Sequence, residues 1–96
     1  MNFLPFVVHA VYRDGFSIQL TFNDGTLGTV DFRSWLNGPV FEPLRDGAYF
    51  RRFFLEGGTV SWPNGADIAP ETLYEAVARE QRSNTGMQAS QKTRRG

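Results

Sequence analysis

Cysteine is absent and histidine occurs once, at position 9, so the chemistry open to this 96-residue chain rests on ten carboxylates, hydroxyls and amides. Without a thiol there is no disulfide, no thiolate metal ligand and no sulfur nucleophile. A hydroxyl nucleophile needs a base beside it and a third group to orient that base. His9 lies in an alternating apolar stretch with no serine–aspartate arrangement around it, the setting of a packed or surface residue. Among the carboxylates, Asp14, Asp24 and Asp46 stand at glycine-containing turns or a helix start, where aspartate bonds backbone amides. Asp31 and Asp67 stand at the ends of elements. With Asn64 they are the residues a small ligand-binding or enzymatic site would use. No D-x-D-x-D-G loop is present to hold calcium, and the glycines spell no phosphate-binding motif. The chain is accordingly read as non-enzymatic, with no cofactor and no metal.

The stretch richest in landmarks is WPNGADIAPETLY, Trp62 to Tyr74. Trp62 should close a strand and anchor the core, and Pro63-Asn64-Gly65 should turn the chain. Asp67 is expected to bond backbone amides in the connection, so that Asp67→Ala would cost about 1–2 kcal/mol. Ile68 should pack inward, and Pro70-Glu71 should launch a helix, proline and an acid both being favoured in a first turn. Trp62, Asn64, Asp67 and Glu71 are therefore the signature residues of the joint and the candidates for interaction. A second candidate surface is Arg51-Arg52, set among Phe50, Phe53 and Phe54. The expectation there is core aromatics with solvated arginines, not a nucleic-acid face.

These residues need a frame. FSIQLTF (16–22) alternates Phe16, Ile18, Leu20 and Phe22 with Ser17, Gln19 and Thr21, the period of a strand with one wet face. VVHAVYR (7–13) precedes it across Asp14-Gly15, and TLGTVDF (26–32) follows across Asn23-Asp24-Gly25, both hairpin signals. A short helical turn is expected around Ser34–Leu36 and a short helix near Asp46–Arg52, with Asp46 as N-cap. FFLEGGTVSW (53–62) reads as a further hairpin about Glu56-Gly57-Gly58, with Val60 and Trp62 on one face. Leu73, Tyr74, Val77 and Ala78 fall on one stripe of a closing helix. The predicted class is α+β: an antiparallel β-meander plus a further hairpin, packed with short middle helices and one C-terminal helix.

With 41% hydrophobic and 15% aromatic residues the chain can fill one core. Residues 1–80 are read as a single domain and 81–96 as a polar basic tail without periodicity, expected to be disordered. The formal charge of zero hides an asymmetry: 1–80 carry six arginines against all ten acids, whereas 81–96 carry Arg82, Lys92, Arg94 and Arg95 alone. Arg94 and Arg95 are the candidates for weak, salt-sensitive nucleic-acid contact. The start of the chain has no basic leader, and no stretch approaches the ~18 apolar residues of a membrane span. Together with the lack of cysteine, this favours the cytoplasm.

The order of landmarks, F-N-D-G-T, then V-D-F, then V-F-E-P-L-R-D, then T-V-S-W-P-N-G-A-D-I-A-P-E-T-L-Y, resembles the bacterial domain of unknown function 2442 family over about residues 5–80. The resemblance implies a small prokaryotic α+β domain with no established catalytic residues. Some members stand alone and some are joined to a helix-turn-helix domain; stand-alone members are often encoded beside another small protein, in a layout like a toxin–antitoxin pair. The function expected is a non-catalytic protein-interaction module, the antitoxin-like half of a two-gene unit. The alternatives are an accessory domain that binds nucleic acid through its tail, and a ligand or enzymatic site using Asp31, Asn64 and Asp67. Partners would be the product of an adjacent gene, or a second copy joined through a sheet edge.

Overall fold

A computed structural model describes residues 3–80. The expectations for the 81–96 tail, including Arg94 and Arg95, lie outside the described residues. Strands β1 (Val7–Asp14), β2 (Ser17–Phe22) and β3 (Leu27–Asp31) form an antiparallel meander in the order β1-β2-β3. Strands β4 (Phe54–Glu56) and β5 (Thr59–Ser61) form a separate hairpin. Between the sheets lie 3-10 turns at Arg33–Trp35 and Glu42–Arg45 and the short helix α1 (Gly47–Phe50). A second helix, α2, covers 70–80. The fold is α+β, with the elements in the expected order.

The alternation in β2 sets the orientation of the meander. Ile18, Leu20 and Phe22 are buried, and their partners across the ladder, Tyr12 and Ala10 on one side and Val30 and Gly28 on the other, face the same way. Opposite residues on paired strands project to one side, so these rows make the inner face. Helix α2 lies across that face with Leu73 and Val77 fully covered and Tyr74 half-buried, as its apolar stripe requires. Gly28 is where the helix comes closest. A Cβ there would stand 2.6 Å from Val77 Cγ1, so the absent side chain admits the helix.

The rest of the core is aromatic. Phe32, Phe50 and Trp62 are all buried, with ring centroids 5.6–6.0 Å apart. Burying each such side chain stabilises by roughly 1.5–3 kcal/mol. The indole N–H of Trp62 donates to the Phe50 carbonyl at 2.8 Å, giving a buried donor the partner it needs. Asp46 caps α1 by accepting from the Ala48 amide, as its position before the helix implies.

Local differences from expectation follow from turn geometry. The first hairpin pairs Asp14 with Ser17, so its two-residue turn is Gly15-Phe16, with Gly15 at φ +52°. Asp14 ends β1 instead of bonding turn amides. The helical turn expected at Ser34–Leu36 begins one residue earlier, where the Asp31 carboxylate accepts from the Arg33 amide. The 3-10 turn at Glu42–Arg45 was not anticipated; its Pro43 takes an initial position where no amide is needed. The second meander turn holds to expectation, Asp24 accepting from the Thr26 amide with Gly25 at φ +90°. The two sheets are tied together near the start of the chain. The Val7 amide donates to the Gly58 carbonyl at 2.8 Å, and the Asn23 side chain binds both the Phe6 amide and the Leu4 carbonyl.

Candidate functional site

The joint from Trp62 to Tyr74 is built by one tight turn. The Trp62 amide donates to the Ala66 carbonyl and the Gly65 amide to the Trp62 carbonyl, both at 2.9 Å, with Gly65 at φ +91°. Asn64 locks this turn: its Oδ1 accepts from the Ala66 amide at 3.1 Å, and its amide donates to the Val40 carbonyl at 2.9 Å. The second bond fastens the turn to the middle segment, 24 positions away in the chain. Ile68 then packs inward and Pro70 opens α2.

The role expected of Asp67 is overturned. Its backbone forms an isolated antiparallel bridge with Ser61, but its exposed carboxylate bonds no backbone amide among the described residues. Asn64 does the capping instead. An amide side chain can donate and accept at once, and this position requires both; an ionised carboxylate can only accept. Glu71 is exposed in the first turn of α2, where its charge complements the helix dipole and has no side-chain partner among the described residues.

Asp67 lines a concavity of about 580 Å³ with Glu56, Gly57, Thr59, Ser61, Trp62, Gly65, Ala69 and Pro70. The floor is β5. Alternation along that strand sends Val60 and Trp62 into the core and Thr59 and Ser61 into the concavity. The Thr59 hydroxyl donates to the Ile68 carbonyl. Ser61 is only 7% exposed, and its hydroxyl has no hydrogen-bond partner among the described residues. Neither Glu56 nor Asp67 has an ion-pair partner among them. Glu56 and Ser61 escaped sequence reasoning, although the alternation that buries Val60 and Trp62 points Ser61 the other way.

The residues proposed for a small-molecule site do not converge. Asp31 is held by Arg33 in a forked pair, with Nε at 3.1 Å and Nη2 at 2.7 Å from Oδ2. That hydrogen bonding holds the Asp31 carboxyl below its ordinary range and raises the Arg33 guanidinium. Asn64 is spent on the turn, leaving Asp67 as the one of the three that faces the concavity. No group of three or more His, Asp or Glu side chains among the described residues is placed to hold a metal ion.

Two further features lie outside this concavity. The Tyr74 hydroxyl donates to Asp24 Oδ2 at 2.7 Å, latching α2 to the β2–β3 turn. The Thr26 amide and this hydroxyl together hold the Asp24 carboxyl below its ordinary range. Arg51 and Arg52 lie over the rings of Tyr12 and Tyr49, at 4.7 and 5.4 Å. Of the neighbouring aromatics, Phe50 is core and Phe53 half-buried, but Phe54 is exposed, contrary to the expectation that all three pack inward. Phe54 belongs to a larger set. Phe3, Leu4, Phe6, Val8 and Leu55 are also exposed, and the Phe6 ring abuts Gly58 at the tip of the β4–β5 hairpin.

The family model for a protein of unknown function, DUF2442, matches residues 7–79. The chain belongs to the DUF2442 family. The match begins at the first residue of β1 and ends within α2, so it takes in both sheets and the whole Trp62–Tyr74 joint. Neither the curated proteins nor the solved structures gave a match. No helix among the described residues is long and apolar enough to cross a membrane.

Proposed function

We propose that this DUF2442 chain is a non-catalytic protein-interaction module of the cytoplasm, with the antitoxin-like half of a two-gene unit as the setting that its family resemblance suggests. The observation that carries this reading is the exposure of Phe6 together with Phe54 and Leu55 of β4, Phe6 lying against Gly58 at the tip of the same hairpin. Large apolar side chains left exposed around one hairpin are a usual mark of a protein-binding surface. The tie from Val7 to Gly58 and the Asn23 clamp hold the Phe6 segment against the hairpin, so the patch is preformed and costs little ordering on binding. Strand β1 stands at one edge of the meander, tied to Gly58 at Val7, and such an edge offers a partner strand or a second copy a place to pair.

The test is co-expression with the product of the adjacent gene, followed by purification on a tag carried by this chain. Retention at micromolar concentration, lost in a Phe6→Ser/Phe54→Ser variant that still unfolds cooperatively, is expected. Failure to retain that partner, with the chain monomeric at the same concentration, contradicts the reading.

A further inference from the structure

We propose that the concavity between the β4–β5 hairpin and the start of α2 is a binding site for an arginine side chain of a partner protein. The inference rests on the interaction-module reading and locates a charged contact on the same hairpin as the apolar patch.

Strand pairing composes the site. Phe54 is paired with Ser61 and Ser61 is bridged to Asp67, so the three side chains form one cross-strand row on one side of the hairpin. Glu56 and Thr59, paired with each other and two residues removed along their strands, project to that same side. The outcome is an exposed aromatic ring at one end of the row, a carboxylate at the other, and a second carboxylate in the adjoining row. Between the carboxylates lies the Ser61 hydroxyl, nine-tenths buried and without a hydrogen-bond partner among the described residues. A covered hydroxyl that lacks a partner favours a ligand able to supply one.

The groups present select the ligand. Two carboxylates without ion-pair partners disfavour an anion and favour a cation. A guanidinium offers several N–H donors in a planar fork, able to bond a carboxylate and a hydroxyl oxygen at the same time. It can also stack on an aromatic ring, and exposed Phe54, paired with Ser61 but outside the lining of the concavity, stands at its rim. Ala69 and Pro70 supply apolar wall for the methylene stem. The described chain carries more acids than bases, which favours approach of a basic segment.

The test is an amide NMR titration of the full 96-residue chain with acetyl-Gly-Arg-Gly-amide, and in parallel with the peptide in which citrulline replaces arginine. Citrulline keeps the shape and loses the charge. Saturable shifts at Glu56, Ser61 and Asp67 are expected with arginine, at least tenfold weaker with citrulline and at least tenfold weaker in Asp67→Asn. Equal binding of the two peptides, or binding unchanged in Asp67→Asn and in Glu56→Gln, overturns the proposal. The Arg94→Gln/Arg95→Gln chain should leave the free-state shifts of Ser61 and Asp67 in place. Movement there would make the occupant the chain's own arginines and overturn assignment to a partner. Because no partner is present in the titration, its failure is distinct from failure of the apolar patch to retain one.

Discussion

Asn64 and Asp67 sit three positions apart in the same joint, have side chains of nearly equal size, and meet opposite fates. Asn64 is bonded on both sides, to Ala66 within the turn and to Val40 across the fold. Asp67 contributes its backbone to a bridge with Ser61 and leaves its carboxylate in the concavity. The difference teaches that, in a loop dense with polar residues, the chain is held by the side chain that can donate and accept together. The acid beside it is then left available for something outside the chain. The same division runs through β5, where Val60 and Trp62 complete the core and Ser61 faces the other way.

The core side of the comparison should break hardest. Trp62→Ala removes the ring that packs on Phe32 and Phe50 and orphans the Phe50 carbonyl, at an expected cost of about 3–5 kcal/mol in urea unfolding. Gly28→Ala should cost about 1–3 kcal/mol by driving a Cβ into Val77, and Val77→Ala in the same chain should recover part of it. Recovery would place the fault at the helix contact; none would place it in β3 itself.

Smaller effects sharpen the contrast. Asn64→Ala should cost about 1 kcal/mol, the loss of a turn cap and one tertiary bond, read from the same unfolding curves. The smallest expected effect is a pH dependence at Asp24, where Tyr74 of α2 meets the β2–β3 turn. Asp24 has a folded-state pKa below its unfolded value, so its contribution is present above the ordinary aspartate range near pH ~3.9 and is lost as pH falls through the lowered value. Tyr74→Phe removes one of the two leading causes of that depression. The acid limb of melting temperature against pH should therefore become shallower, while the Thr26 amide preserves part of it.

Much of this frame was legible in the sequence. The strict alternation in β2 specified a one-sided strand, and Asn23-Asp24-Gly25 specified its turn, because both signals are local. Pro70 marked the start of α2 for the same reason. The site was less legible because its composition depends on contacts distant in sequence. Nothing local shows that Val40 will come to Asn64, and without that contact the acid at 67 looks the better cap. Likewise, Tyr74 reads as one residue of an apolar stripe until the fold brings Asp24 to its hydroxyl. Exposure of Phe54 could not be inferred from a Phe-Phe pair, since which of two neighbours faces inward is settled by the register of the hairpin.

The central claim, that Asn64 holds the joint while Asp67 serves an outside ligand, is tested most directly by urea unfolding of Asp67→Ala. Its stability should lie within about 0.5 kcal/mol of the unsubstituted chain, as for a surface residue without partners. A loss of about 1–2 kcal/mol, matching or exceeding that of Asn64→Ala, would make Asp67 a cap after all and contradict the account.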